Sequence, residues 1–292
     1  MIAHVAEAGE GRGRVVLHLS AQPPNPFAIE AAVRVARAFQ SEIESLFVED
    51  TTLLEIAALP FAREISLSGR QSRALSPDIV ARQMRASAAA LARRLTELAR
   101  VAEVPLHLTV VRDEPVVALA QACSACGPWN VVALGDPLSA ASGRAFARLF
   151  AAVPGTTGLI VVGPMARRSQ GRMVAIVEDI GDFDVVLRTA RRLHEGAHED
   201  TTDARLTLLL VADSDDEAAT MDEQVRLALG DDATVDIARA RVQPNEPGVA
   251  AELIRRLAAG FIVGRFGGLV VPRDGDLRHL AAVLECPFFL IR

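Results

Sequence analysis

Two short apolar runs near the middle of the chain constrain its fold more than any other feature. Gly158–Val162 and Met173–Val177 are rich in β-branched residues and have the length of buried strands. The connector between them is polar and contains a Gly-Pro pair and two adjacent arginines, which is typical of a linker. We interpret the runs as the last strand of one α/β unit and the first strand of another. The predicted domains are therefore residues 1–165 and 166–292.

Length and composition exclude several classes of protein. The chain has 292 residues, enough for two domains with sizeable cores, and 50% of them are hydrophobic, which excludes global disorder. The net charge of −6, without a basic tail, argues against a nucleic-acid partner. Glycine, proline and polar residues interrupt the longest uncharged stretches, so no membrane span is expected. Three cysteines, an odd number, favour a reducing cytoplasm over a disulfide framework.

Apolar runs with strand character alternate with helical patterns in both halves. This order predicts mostly parallel sheets with helices on both faces. Ser76 and Pro77 are typical first residues of a long helix that ends near Val101. The predicted strands of the first half are 14–20, 42–49, 105–111, 129–135 and 158–162. Those of the second half are 173–177, 206–211, 234–240, 268–271 and 288–291. The other predicted helices are 27–40, 114–126, 142–153, 183–195, 215–229, 247–259 and 276–284.

The first half contains an insertion after its second strand. Residues 50–104 separate its second and third strands, whereas the second half uses only residues 213–233. Within the insertion, Leu59-Pro60-Phe61 and Ile65 are too apolar for a solvated loop. We therefore expect these residues to cover the sheet or its cleft.

Several short strings resemble the universal stress protein family in its tandem two-domain form. They are FVED at the end of strand two, LPFAREI after it, and Cys286-Pro287 before FFLI. The resemblance covers nearly the whole chain. It implies two tandem flavodoxin-like domains, each a five-stranded parallel sheet of order three-two-one-four-five with helices on both faces. Many members of the family bind ATP and others do not.

The resemblance also implies where a nucleotide would bind. ATP-binding members have an Asp at the end of strand one; strand four is followed by Gly, two residues, Gly, nine residues, then Gly-Ser or Gly-Thr. Such glycines let backbone N–H groups approach phosphates. In the first half, strand one ends at Ser20, and Leu138 stands where the second glycine belongs. In the second half, Glu178-Asp179 could contact the ribose, but a strand at 268–271 leaves only 14 residues, 273–286, before strand five. ATP binding of the usual kind is therefore disfavoured in both halves.

A residual anion site remains in the first half, beyond the carboxyl end of strand four. Hydroxyls and arginines at a helix N-terminus could hold an anion there. The alternative is an ordinary helix cap beside a solvated face. The candidate residues are Gly135, Ser139, Ser142, Gly143 and Arg144, with Arg148 nearby.

No other motif indicates catalysis, a metal or a cofactor. Cys123-Ser-Ala-Cys126 is a single CxxC on a helix end with no second pair, so apolar packing is its expected role. The acidic run Asp213–Glu217 lacks the spacing of a calcium loop and suits a helix start. The six histidines show no metal-ligand spacing, and no serine lies in a nucleophile elbow. We expect neither an enzyme nor a bound cofactor.

The leading functional hypothesis is a cytoplasmic, non-enzymatic regulatory or interaction module with degenerate nucleotide sites and a protein partner. The alternatives are an adenine-nucleotide-binding signalling protein with an atypical loop and a hydrolase acting on nucleotides. The family resemblance implies dimerisation through the fifth strand. In this chain we expect the two fifth strands, 158–162 and 288–291, to face each other as an internal pseudo-dimer.

Overall fold

The fold is α/β, and its description rests on a computed structural model. The structure describes residues 13–20, 24–66, 68, 70–125, 129–134, 150, 153, 155–195, 206–230, 232–242, 252, 254–272 and 281–292. The strands are β1 Arg14–Leu19, β2 Glu42–Asp50, β3 Arg63–Ile65, β4 Ser72–Ala74, β5 Leu106–Asp113, β6 Asn130–Leu134, β7 Thr156–Val161, β8 Met173–Val177, β9 Leu206–Ala212, β10 Val235–Arg241, β11 Phe261–Arg265 and β12 Phe288–Ile291. The helices are α1 Pro26–Ala38, α2 Thr51–Ala58, α3 Pro77–Val101, α4 Pro115–Ala125, α5 Phe183–Glu195 and α6 Asp215–Leu229.

Among the described residues, ten strands form one mostly parallel sheet in the order β10-β9-β8-β11-β12-β7-β6-β1-β2-β5. Each half contributes five consecutive positions, and β8 and β1 occupy equivalent places in the two runs. Strands β7 and β12 meet in the middle and pair antiparallel, with Phe288 opposite Val161 and Leu290 opposite Leu159. The sheet therefore runs from one half of the chain into the other without interruption.

Successive side chains of each strand point to opposite faces of the sheet, so the hydrophobic core lies on both faces. Val15 and Leu17 belong to one buried cluster together with Ile29 of α1. Val16, which points the other way, belongs to a second cluster together with Leu119 of α4. Both clusters include strands from both halves of the chain. The parallel strands are thus buried on both faces, which accounts for their continuous apolar runs.

Arg34 of α1 in the first half contacts residues of the second half. Its guanidinium donates hydrogen bonds to the carbonyl of Ser169 at 2.8 Å and to the carbonyl of Leu193 at 3.2 Å. It also lies 4.7 Å from the ring centre of Phe261. Burial lowers the pKa of Arg34 to about 10, so the side chain is still charged at neutral pH.

Most of the predicted elements agree with the structure. The five strands of the first half lie within two residues of their predicted bounds, and the long helix spans Pro77–Val101 with Ser76 as N-cap. The helix predicted at 142–153 lies outside the described residues except for Phe150 and Val153, and the helices predicted at 247–259 and 276–284 lie partly outside them. Within the described ranges, no helix combines the length and apolarity that a bilayer span requires.

The prediction that the insertion covers the sheet was wrong. Phe61 is 75% exposed and Ile65 is 65% exposed, and Leu59 is exposed as well. Helix α2 buries only Ala57, and β3 and β4 form a separate antiparallel hairpin with exposed residues throughout. The three apolar residues Leu59, Phe61 and Ile65 therefore lie on the surface.

Replacing Phe61 with alanine is expected to change the free energy of unfolding by less than about 0.5 kcal/mol, because an exposed ring loses few contacts. Urea unfolding followed by circular dichroism measures the difference. A loss of about 3–5 kcal/mol would show that the ring is buried after all.

Candidate functional site

The structure does not test the site predicted in the first half. Gly135, Ser139, Ser142, Gly143 and Arg144 all lie outside the described residues. The description of this region stops at Leu134, the last residue of β6. The structure does describe the equivalent position in the second half, at the carboxyl ends of β8 and β11.

One predicted strand in the second half was wrong. The strand next to β8 is Phe261–Arg265, whereas residues 268–271 belong to the loop after it. Both segments are short apolar runs, and Val270 and Val271 are buried even though they lie in a loop. Periodicity alone does not separate two such runs. The correction leaves residues 266–287, 22 residues, between β11 and β12, whereas a strand that ended at 271 would leave residues 272–287, 16 residues.

The corrected strand changes the comparison with ATP-binding universal stress proteins. Gly264 and Gly267 now fall at the carboxyl end of the fourth strand, with two residues between them. That is the first part of the motif, which the sequence analysis did not find in this half. The second part is missing, because Leu277-Arg278 stands where Gly-Ser or Gly-Thr belongs.

The candidate site lies where the strand order reverses. From β8 the chain moves outward to β9 and β10, then returns to β11 on the other side of β8. In open α/β sheets, ligands bind in the crevice beyond the carboxyl ends of the two strands at such a point. Here Glu178 follows β8 directly, and Phe266 and Gly267 follow β11.

Glu178 reaches across this crevice and binds the loop after β11. Its Oε2 accepts a hydrogen bond from the backbone N–H of Leu269, and its Oε1 accepts one from the N–H of Val270 at 3.1 Å. Gly268 allows this approach, since a Cβ there would collide with Oε2. Gly267 has a φ of +100°, which favours glycine at the turn. Two consecutive amides thus hold one carboxylate.

The Glu178 carboxylate lies near Asp182, which in turn lies near Arg265 and Asp179. Burial raises the pKa of Glu178, as Asp182 does more weakly, while the two amide hydrogen bonds act in the opposite direction. Asp182 forms an ion pair with Arg265, yet burial and nearby Asp179 leave the pKa of Asp182 raised. Asp179 itself accepts a hydrogen bond from the N–H of Gly181 at 2.8 Å and caps a 3₁₀ turn.

This arrangement suits the binding of an oxyanion. Backbone N–H groups in consecutive positions form a concave donor site that accepts a carboxylate or a phosphate. Within the described part of the chain, no group of three or more His, Cys, Asp or Glu side chains could hold a metal ion. Sequence analysis named Glu178 but missed its partners, which lie 91 and 92 residues further along the chain. The adjacent Gly267-Gly268 pair was the available signal.

The cysteines stand apart from this site. Cys123 and Cys286 are both buried, while Cys126 lies outside the described residues. Burial raises the pKa of Cys286 to about 12, which keeps it protonated and unreactive at neutral pH.

Comparisons with known proteins establish the fold. No family model matches the sequence, and no curated protein matches it. A universal stress protein from Archaeoglobus fulgidus DSM 4304 is similar in structure, with a TM-score of 0.60 and 13% identity over 95% of this chain and 96% of its own. A functionally unknown protein from Pseudomonas aeruginosa PAO1 has a TM-score of 0.53 and 13% identity, covering 94% and 92%.

A third solved structure has a different role. The cytoplasmic domain of a prokaryotic cation chloride cotransporter has a TM-score of 0.55 and 12% identity, covering 96% of this chain and 95% of that one. The chain therefore has the α/β fold of universal stress proteins, and that fold serves proteins with different functions.

Proposed function

We propose that the chain is a cytoplasmic regulatory protein of the universal stress type that acts by binding a protein partner rather than by catalysis. Its two units, residues 1–165 and 166–292, each form a five-stranded flavodoxin-like domain, and they pair through β7 and β12 as an internal pseudo-dimer. One observation supports the proposal that this chain does not bind nucleotide. The carboxylate of Glu178 occupies the amides of Leu269 and Val270, at the crevice where a nucleotide would place its phosphates.

The second candidate function is adenine-nucleotide binding. Gly264 and Gly267 favour it, because they supply the first part of the family's motif at the correct end of β11. Against it, the final Gly-Ser or Gly-Thr pair is missing, and a carboxylate repels phosphates electrostatically.

Titration of the purified protein with ATP and magnesium tests the proposal. We expect no binding tighter than about 100 μM, which corresponds to about −5.5 kcal/mol. Isothermal calorimetry measures this directly, and mass spectrometry of the natively purified protein should show no bound nucleotide. A micromolar dissociation constant would contradict the proposal and favour the second candidate.

A further inference from the structure

The geometry points to Glu178 as an internal ligand that keeps an oxyanion site closed, so that withdrawing its carboxylate opens the amides of Leu269 and Val270 to a phosphate group. This inference rests on the proposed function, since it explains why the second half would fail to bind nucleotide. It also adds something specific. The two amide donors of the site are still present, and the chain's own carboxylate occupies them.

The contact has the form of an anion bound by a loop. Both oxygens of Glu178 are engaged, each by a different amide, and the two amides are consecutive. A phosphate presents two oxygens to a pair of N–H donors in the same way. The donors are backbone groups, so substituting Glu178 removes the ligand and leaves both donors in place.

The loop has supports that do not involve Glu178. The N–H of Gly267 donates to the carbonyl of Val271 at 2.8 Å, which closes the turn. The N–H of Phe266 donates to the carbonyl of Ile291 at 2.7 Å and attaches the loop to β12. Val270 and Val271 are 4% and 3% exposed and anchor it in the core. We therefore expect the amides to keep their arrangement when the carboxylate is removed.

The surrounding charges set the expected strength of binding. Arg265 attracts an anion, but its ion pair with Asp182 offsets part of that attraction. Asp179 is exposed and adds a further negative charge. An opened site should therefore take a small oxyanion weakly, and inorganic phosphate is the simplest probe of that class.

The experiment compares Glu178→Ala and Glu178→Gln with the wild type and with Asp179→Asn. Asp179→Asn is the matched control, because it removes one negative charge from the adjacent residue but vacates no amide, and asparagine still caps the turn. Each protein is titrated with inorganic phosphate, and the amide NMR signals of Leu269 and Val270 are followed. In Glu178→Ala we expect the chemical shifts of both amide signals to change with added phosphate and to reach a plateau. We also expect the phosphate affinity to be about tenfold or more above that of the wild type.

Three results would overturn the inference. The first is a folded Glu178→Ala protein with wild-type phosphate affinity. The second is an equal gain in Asp179→Asn, which would assign the effect to net charge alone. The third is failure of both Glu178 variants to fold, because the inference requires a loop that stands without the carboxylate. The proposed function is tested separately: micromolar ATP binding by the wild type contradicts that proposal, whatever the variants do.

Discussion

Replacing Phe288 with alanine is expected to lower the free energy of unfolding by about 3–5 kcal/mol, the usual cost of removing a buried aromatic ring. Phe288 is 1% exposed in β12, between Ile262 of β11 and Val161 of β7. Its ring also fills the space beside Gly264, where an added Cβ would lie 3.0 Å from Phe288 Cε2. The substitution therefore removes packing from β12, the strand that pairs with β7 of the other half.

The same variant tests whether the halves unfold together. Trp129, the single tryptophan, contacts Phe39, and Phe39 contacts Phe289 in the second half. Tryptophan fluorescence and far-ultraviolet circular dichroism should therefore shift by the same amount in urea. Phe61→Ala is the control, since it makes the same chemical change at an exposed position. A fluorescence transition left unchanged by Phe288→Ala would show that the halves unfold independently.

Acid is expected to destabilise the protein through His18. This residue lies in β1 and is 5% exposed, and burial lowers its pKa from 6.5 to about 4. The unfolded chain takes up a proton below pH 6.5 while the folded chain does not. The stabilisation from neutral His18 is thus fully present above pH 6.5 and lost as the pH falls to 4. The difference is about 3 kcal/mol.

Urea unfolding at pH 7 and at pH 4 measures this difference, and His18→Leu is the variant to compare. Other groups titrate equally in both proteins, so subtracting the two pH dependences isolates the histidine. We expect the variant to lose about 3 kcal/mol less than the wild type over this range. Equal losses would mean that His18 is protonated in the folded state or not buried.

Sequence reasoning succeeded where local pattern decides the structure. Buried parallel strands form continuous apolar runs, so Met173–Val177 and Leu206–Ala212 stand out, and Pro77 marks the start of α3. Sequence reasoning missed the strand Phe261–Arg265 because Val270 and Val271 belong to a similar apolar run. That run lies in a loop, although both side chains are buried. Their burial depends on tertiary packing, which no local pattern encodes.

Two further features of the structure could not be predicted from local sequence patterns. The exposed position of Phe61 depends on where α2 and the β3–β4 hairpin lie relative to the sheet. The contact between Glu178 and the amide of Leu269 joins residues 91 positions apart. A glutamate after a strand is ordinary in sequence, and its role became visible only when β8 and β11 were placed side by side.

The contact between β7 and β12 also limits how the sheet can grow. A strand has two backbone edges; β7 uses its edges on β6 and β12, and β12 uses its edges on β11 and β7. Both strands are saturated, so neither can accept a strand from another molecule. Among the described residues, the open edges of the sheet are β10 and β5 at its two ends. Strand β10 carries Asp236, Arg239 and Arg241, and such charges oppose strand addition. Among the described strands, the sheet is thus closed to strand addition at its centre, and both of its end strands carry charged residues.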